Sequence, residues 1–264
     1  YGGRAVAHAR FGTAKWLIGE AREVVASKLD PTAVLDPLDL PDSVDLISAR
    51  TEFYEKPAAL PTVERSSIKM DLHRRDFTIN TLALRLDQPY YAQLLDYWGG
   101  YADLQDGLVR VLHALSFVDD GTRILRAVRF SERFQFQIEA RTLNLLQDSL
   151  DLLEQVSGTR LGHELDLILQ EKAYLNMLDR LKELGILAAI HPDLPWDEDI
   201  RARLEHFDST QPDGNGKDLR GARLSLWLEG LPDAALARVC KRLRYPRQVE
   251  TDIHQTRALR ALLP

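Results

Sequence analysis

A single cysteine, Cys240, is all the thiol chemistry in the chain. No intramolecular disulfide can form, and Cys240 lies in the run ALARVCKRL, where a small buried hydrophobe is expected. Free thiol without disulfides fits a reducing compartment, so a cytoplasmic location is the expectation. No apolar run approaches the roughly 20 residues that cross a bilayer, and no basic–apolar–small signal segment is present. A membrane is therefore not an expected partner. Basic excess is lacking too: the formal net charge is −6. The molecule as a whole repels a polyphosphate backbone, so nucleic acid must be met locally, through patches such as HRRDF. Several motifs are also missing. YGGR has no preceding strand and no phosphate-loop lysine after it, GHELD (Gly162 to Asp166) is not H-E-x-x-H, and HPD at His191 matches no metal spacing. The seven histidines are scattered and read as structural or surface residues.

What is present is a chain of 264 residues, long enough to bury a real core in one or two domains. It starts at Tyr1 without methionine, which reads as part of a longer polypeptide. Strand and helix signals mix over the first hundred-odd residues. RAVAHARFGTAKW predicts a strand or hairpin, and SVDLISART a short strand with Val44 and Leu46 on one face and Asp45 on the other. LDPTAVLDPLDLPDS reads as a loop, and EKPAALPTVERSSIKMDLH as an irregular connection. NTLALRLD and AQLLDYW are strand candidates, and LQDGLVRVL holds an Asp-Gly turn. From about Phe117 helical periods take over: DDGTRILRAVRFSERF, EARTLNLLQDSLDLLEQV, SGTRLGHELDLILQ and AYLNMLDRLKELGIL. AIHPDLPWDED interrupts them and QPDGNGKD is a loop, before the helical GARLSLWLEG and PDAALARVCKRLRY.

Three stretches carry chemistry. In DDGTRILRAVRF, Arg123, Arg126 and Arg129 fall within an arc of about 120° on a helix, opposite Ile124, Leu125 and Val128. Asp119 and Asp120 suit the N-terminus of that helix. A solvated cationic stripe and a surface for a phosphate-rich ligand both remain open, since no acid is interleaved to neutralise the arginines. In HRRDFTIN, adjacent Arg74 and Arg75 point opposite ways on an extended backbone; Arg75 can fork onto a phosphate and Asp76 accept from a sugar hydroxyl. Asp45 is either a solvent-facing strand residue or one of several acids that hold magnesium at a sheet edge.

Taken together, RRDFTINTLAL, DLQDGLVRVLHALSFVDDGTRILRAVRFSERFQFQIE and VSGTRLGHEL closely resemble the bacterial-type tRNA nucleotidyltransferases. That class II family contains the CCA-adding enzymes, their CC-adding and A-adding relatives, and bacterial poly(A) polymerases. The resemblance spans roughly residues 1 to 170 in the expected order, and ARTEFYEKPAALPTVERSS is similar to loop-containing, multidomain A-adding or CCA-adding members.

The resemblance implies an α+β fold: a partial, palm-like nucleotidyltransferase head over residues 1–115, a helical neck over 116–184 that recognises the nucleotide base, and a helical body and tail over 185–264 that bind tRNA. It implies that Arg75 contacts the triphosphate and Asp76 the ribose, that Asp120 and Arg123 read the base, and that Arg126 and Arg129 extend the nucleotide-facing surface. Asn80, Arg160 and Glu164 would support the site. The reaction would be template-independent addition of CCA, or of the terminal A, to the 3′ acceptor end of tRNA from CTP and ATP. Magnesium would be the cofactor, with Asp45 as a possible catalytic ligand. Alternatives are a poly(A) polymerase and a non-catalytic nucleotide- or RNA-binding remnant. The family's glycine-rich motif and Asp-x-Asp ligands, which precede GGRxxxHxRFGTA, do not occur in this chain, so it is expected to bind a base without catalysing transfer. Base choice has a physical rationale. Adenine and cytosine offer a ring-nitrogen acceptor beside an amine donor, matching a guanidinium and a carboxylate; uracil and guanine offer the reverse.

Overall fold

The computed structural model describes residues 3–8, 12–24, 40–53, 62–210 and 219–262. The chain falls into two compact units, Tyr1–Phe53 with Pro61–Arg74, and Tyr54–Leu60 with Arg75–Pro264. This division lies between Arg74 and Arg75, inside the HRRDF motif.

In the first unit, strands β1 (Arg4–His8), β2 (Thr13–Leu17) and β3 (Ser43–Ile47) form an antiparallel sheet in that order, with β1 and β2 as the expected hairpin. Asp45 sits opposite Lys15 in the β2–β3 register. A second pair joins β4 (Arg50–Phe53) to β5 (Thr62–Arg65), followed by helix α1 (Ile68–His73). The stretch TVERSSIKMDLH is thus ordered rather than irregular. Ser67 caps α1 by accepting from the Met70 N–H, and Asp71 lies in its first turn, the residue types that start a helix. The buried Asp71 carboxylate also accepts from the Arg50 backbone N–H at 3.2 Å, tying α1 to β4. Most of the expected loop after SKLD, and the whole of QPDGNGKD, lie outside the described residues.

The second unit holds the large apolar core, from Phe77 to Ile253. It begins with a 3-10 turn at Thr78–Thr81, the short pair β6 (Ala83–Leu84) and β7 (Leu94–Leu95), and helix α2 (Gly100–Gln105). Gly107, at φ +65°, makes the Asp-Gly turn into β8 (Leu108–Val109). That strand pairs in parallel with β9 (Gln137–Ile138), across the intervening α3 (Ser116–Asp119) and α4 (Arg123–Phe134). The stretch EARTLNLLQDSLDLLEQV is not one helix. It divides into α5 (Ala140–Gln147) and a 3-10 segment, Leu150–Gln155, with Ser149 leaving helical geometry between them.

Helix α6 (Gly158–Gln170) is followed by α7 (Tyr174–Glu183) and α8 (Ile186–Ile190). After the non-helical His191–Trp196 come α9 (Glu198–Ser209), α10 (Arg220–Leu228), α11 (Asp233–Leu243) and α12 (Arg247–Ala261). Cys240 on α11 is 1% exposed, and burial pushes its thiol up to about 11, as a buried hydrophobe requires. No helix among the described residues is long and apolar enough to cross a membrane.

Among the described glycines of this unit, the tightest packing against a neighbouring backbone lies between α6 and α11. A Cβ on Gly158 would meet the Arg242 carbonyl oxygen at 1.9 Å, and one on Gly162 the Leu243 carbonyl oxygen at 2.8 Å. The two glycines are four apart, so they open one edge of α6 to a neighbouring backbone. Arg242 reinforces the contact, donating to the carbonyls of Leu153, Val156 and Ile190 at 2.7, 3.1 and 3.2 Å. Gly158→Ala is expected to force the two elements apart and cost about 3 kcal/mol, the upper range for overpacking. Thermal and urea unfolding of the variant measure this directly, and an unchanged transition would show that the contact is not needed.

Candidate nucleotide site at the start of α4 and α6

The arginine stripe of α4 is neither fully solvated nor unopposed. The opposing acids come from other elements, which helical spacing within one stretch does not reveal. Arg126 Nε donates to Asp76 Oδ2 at 2.7 Å, and its Nη1 lies 3.8 Å from Glu164 Oε1. Arg129 Nη1 lies 3.1 Å from Glu164 Oε2, and Arg133 Nη1 lies 3.4 Å from Glu171. The close approach of Arg129 to Oε2 lacks hydrogen-bond alignment, so that oxygen is an ion-pair partner without a donor. Phe130 lies beneath the pair, its ring centroid 5.4 Å from the Arg126 guanidinium and 5.8 Å from that of Arg129.

Asp76 is the anchor. It is 8% exposed and accepts from the Phe77 N–H at 2.9 Å, from Asn80 at 2.8 Å and from Arg126. Burial alone would raise its pKa. The Arg126 charge and these hydrogen bonds outweigh that and hold it below the ordinary carboxylate value. Glu164 goes the other way: burial raises its pKa despite Arg129, Arg126 and His163. Burial, with Arg126 and Arg133 nearby, also lowers the Arg129 value, although the guanidinium stays charged at neutral pH.

Beside this chain of charges lies a cavity of 430 Å³. The start of α4 supplies Asp120, Thr122 and Arg126, and α6 supplies Thr159, Arg160, His163 and Glu164. Arg160, His163 and Glu164 lie on the side away from Gly158 and Gly162, with Thr159 at the flank between. Asp120 Oδ1 accepts from the Thr122 N–H at 2.9 Å and the Thr122 hydroxyl at 2.7 Å, and pairs with Arg160 Nη2 at 2.6 Å. The turn Asp120-Gly121-Thr122 is tight: a Cβ on Gly121 would meet Val156 Cγ2 at 2.7 Å.

Comparisons with known proteins give the family. Residues 20–110 match the poly A polymerase head domain, and residues 135–197 match the probable RNA and SrmB-binding site of polymerase A. An A-adding tRNA nucleotidyltransferase from Geobacter sulfurreducens is 46% identical over 195 residues, 73% of this chain and 20% of that protein. One from Halalkalibacterium halodurans is 39% identical over 193 residues, 72% of this chain and 40% of that protein. The solved structure of a CCA-adding enzyme in an apo form superposes with a TM-score of 0.77 at 36% identity, covering 96% of this chain and 56% of that one. The chain belongs to the tRNA nucleotidyltransferase and poly(A) polymerase family. It spans well under two thirds of the length of these relatives.

Within this nucleotidyltransferase-family fold, the structure brings together Asp76, Asn80, Arg126, Arg129 and Glu164, and separately Asp120 and Arg160. Arg75 is exposed, whereas Arg74 turns back to Asp71 at 2.8 Å within the first unit. Arg123 departs from the expected arginine face. It is 5% exposed and donates through Nη1 to the Ser116 hydroxyl at 2.7 Å and the Ser116 carbonyl at 3.3 Å. As the first residue of α4, it reaches back onto the preceding helix α3. Asp45 is exposed and lies 3.4 Å from Lys15. Among the described residues no group of three or more His, Cys, Asp or Glu side chains is placed to hold a metal ion. Thr122, Thr159 and His163 were not singled out from sequence. The signal for the last two was their i, i+4 spacing on the face of α6 that also carries Arg160.

Asp76→Asn would leave Arg126 facing a neutral amide, at an expected cost of about 3 kcal/mol at pH 7. The depressed Asp76 pKa stabilises the fold above the ordinary carboxylate value of 3.8 and loses that contribution as pH falls through the lower folded value. Urea unfolding at pH 7 and at pH 3 should therefore show the gap between wild type and variant shrinking in acid. A gap that is constant with pH would contradict the assignment.

Proposed function

We propose that the protein containing this chain adds nucleotides, the terminal A or CCA, to the 3′ end of tRNA, using ATP and possibly CTP. The observation that carries the reading is the cavity between α4 and α6, where a fixed carboxylate, Asp120, stands among guanidinium groups. Its 430 Å³ is within the usual range for a small-molecule site, roughly 300–1,000 Å³. The names of the two relatives support tRNA as the substrate and favour A addition.

In this reading the chain binds and orients. Asp120 and a neighbouring guanidinium read the amine and ring nitrogen of adenine or cytosine, and uracil or guanine would set like groups against each other. Arg75, Arg126 and Arg129 supply positive charge for the triphosphate, while Asp76, Asn80 and Glu164 hold Arg126 and Arg129 in place. The helical body and tail, residues 185–264, meet the tRNA acceptor end. Nucleotidyl transfer in this family implies magnesium. The described residues do not fit a magnesium site, because Asp45 is one exposed carboxylate already paired with Lys15. No catalytic step is assigned to them.

A second reading, a poly(A) polymerase, rests on the two family descriptions, which both refer to that enzyme. Full-length protein supplied with tRNAs ending before CCA, after CC and after CCA, with ATP and CTP separately, separates the two. Addition of one A to the CC-ended tRNA is the expected result. Stepwise C addition would extend the activity to CCA. Long A tails on unrelated RNA would overturn the tRNA reading.

A further inference from the structure

Residues 234–249, running from α11 into the start of α12, carry five basic side chains and no acidic one, in a chain of net charge −6. Two of the five are committed within the fold. Arg242 donates to three carbonyl oxygens, and Arg238 pairs with Asp193 at 2.6 Å. Lys241, Arg244 and Arg247 are exposed and have no side-chain hydrogen bond or ion pair among the described residues. The arginines of α4 differ, since Arg126, Arg129 and Arg133 each face a carboxylate. Three uncompensated like charges, spaced three residues apart, repel one another and draw in a polyanion.

The turn that presents them is fixed against the rest of the unit. Arg244 closes α11 at φ +56°, and Pro246 caps α12. A Cβ on Gly158 would lie 3.0 Å from Arg244 Cγ as well as against the Arg242 carbonyl oxygen. The Arg244 stem therefore crosses the first turn of α6, the turn that brings Thr159 and Arg160 to the cavity. Basic corner and cavity share one end of one helix.

From this placement we infer that Lys241, Arg244 and Arg247 hold the phosphate backbone of the RNA whose 3′ end reaches the cavity. The inference rests on the function proposed above and names one place, within residues 185–264, where the contact is made. Cations of this kind grip phosphates and carry no base sequence information. An anionic lipid surface offers similar phosphate groups, but binding it also takes apolar side chains. Between Phe134 and Leu259 no large apolar side chain is exposed among the described residues. Leu259 itself lies twelve residues along α12 from Arg247, about 18 Å away.

The test measures equilibrium binding of the 264-residue chain to a tRNA ending in CC and to an unrelated RNA hairpin of equal length. Salt is varied between about 50 and 200 mM. The triple variant Lys241→Gln, Arg244→Gln, Arg247→Gln is expected to bind both RNAs about tenfold or more weakly. Its salt slope should fall by about three, one for each lost phosphate contact. ATP binding and the thermal transition should stay as in wild type, because the three side chains are exposed and lie outside the cavity. Arg244→Lys with Arg247→Lys keeps the charge and should keep most of the RNA affinity. As a control for net charge, Arg141→Gln, Lys172→Gln and Lys182→Gln remove three exposed cations elsewhere and should change little.

Unchanged RNA affinity in the corner variant, or an equal loss in the control, overturns the inference. So does a corner variant that loses binding to phosphatidylglycerol vesicles but not to RNA. Wild type that binds ATP and no RNA overturns this inference alone and leaves the nucleotide site intact. Wild type that binds both RNAs through the corner but no ATP overturns the nucleotide site and leaves the RNA contact standing.

Discussion

The arrangement at the site depends on one run of opposite charges: Asp76, Arg126, Glu164 and Arg129. Its members come from three places, the segment before the 3-10 turn at Thr78–Thr81, helix α4 and helix α6. Asp76 and Glu164 are both largely buried, so each needs its guanidinium partner to remain ionised in a poorly solvated setting. Removing one member leaves another charge without compensation, which costs more than the pair itself contributes. The opposite pKa shifts of the two carboxylates express the same balance. Asp76 gains enough from Arg126 and three hydrogen bonds to overcome burial, whereas Glu164, with one oxygen lacking a donor, does not.

Helix α6 turns this anchor into a site because it is used on two sides. Gly158 and Gly162 let it approach the α11 backbone, and Arg242 ties the same region to three carbonyl groups. On its other side Arg160, His163 and Glu164 face the cavity shared with the start of α4. A rigid packed edge and a polar working edge within one 13-residue helix keep the functional side chains in register with Asp120. In the proposed nucleotide site, preorganisation of this kind would let a small number of hydrogen bonds discriminate between bases, because little ordering would remain to be done on binding.

Much of this was legible in the sequence, but unevenly. The change from mixed α/β to helices after Phe117 followed from hydrophobic period, and Cys240 from its apolar neighbours. The α1 start at Ser67 was missed because the two prolines upstream dominate the reading of EKPAALPTVERSSIKMDLH, while the local serine cap decides the structure. The leucine-rich EARTLNLLQDSLDLLEQV kept one apparent period across a break at Ser149. The arginine stripe lacks acids within its own stretch because its partners, Asp76 and Glu164, lie about 35 to 50 residues away in sequence, where spacing rules have no reach. For the same reason the pairing of Asp120 with Arg160 could not be read from DDGTRILR alone. Motif order identified the family, whereas only the tertiary arrangement shows which guanidinium stands beside which carboxylate.

A double-mutant cycle between Asp76 and Arg126 measures the coupling on which the site stands. Unfolding free energies of wild type, Asp76→Asn, Arg126→Met and the double variant at pH 7 give the interaction energy. The buried, hydrogen-bonded pair predicts a coupling of about 2–3 kcal/mol, with the double variant less damaged than the sum of the single changes. Strict additivity would contradict the claim that this pair anchors the site.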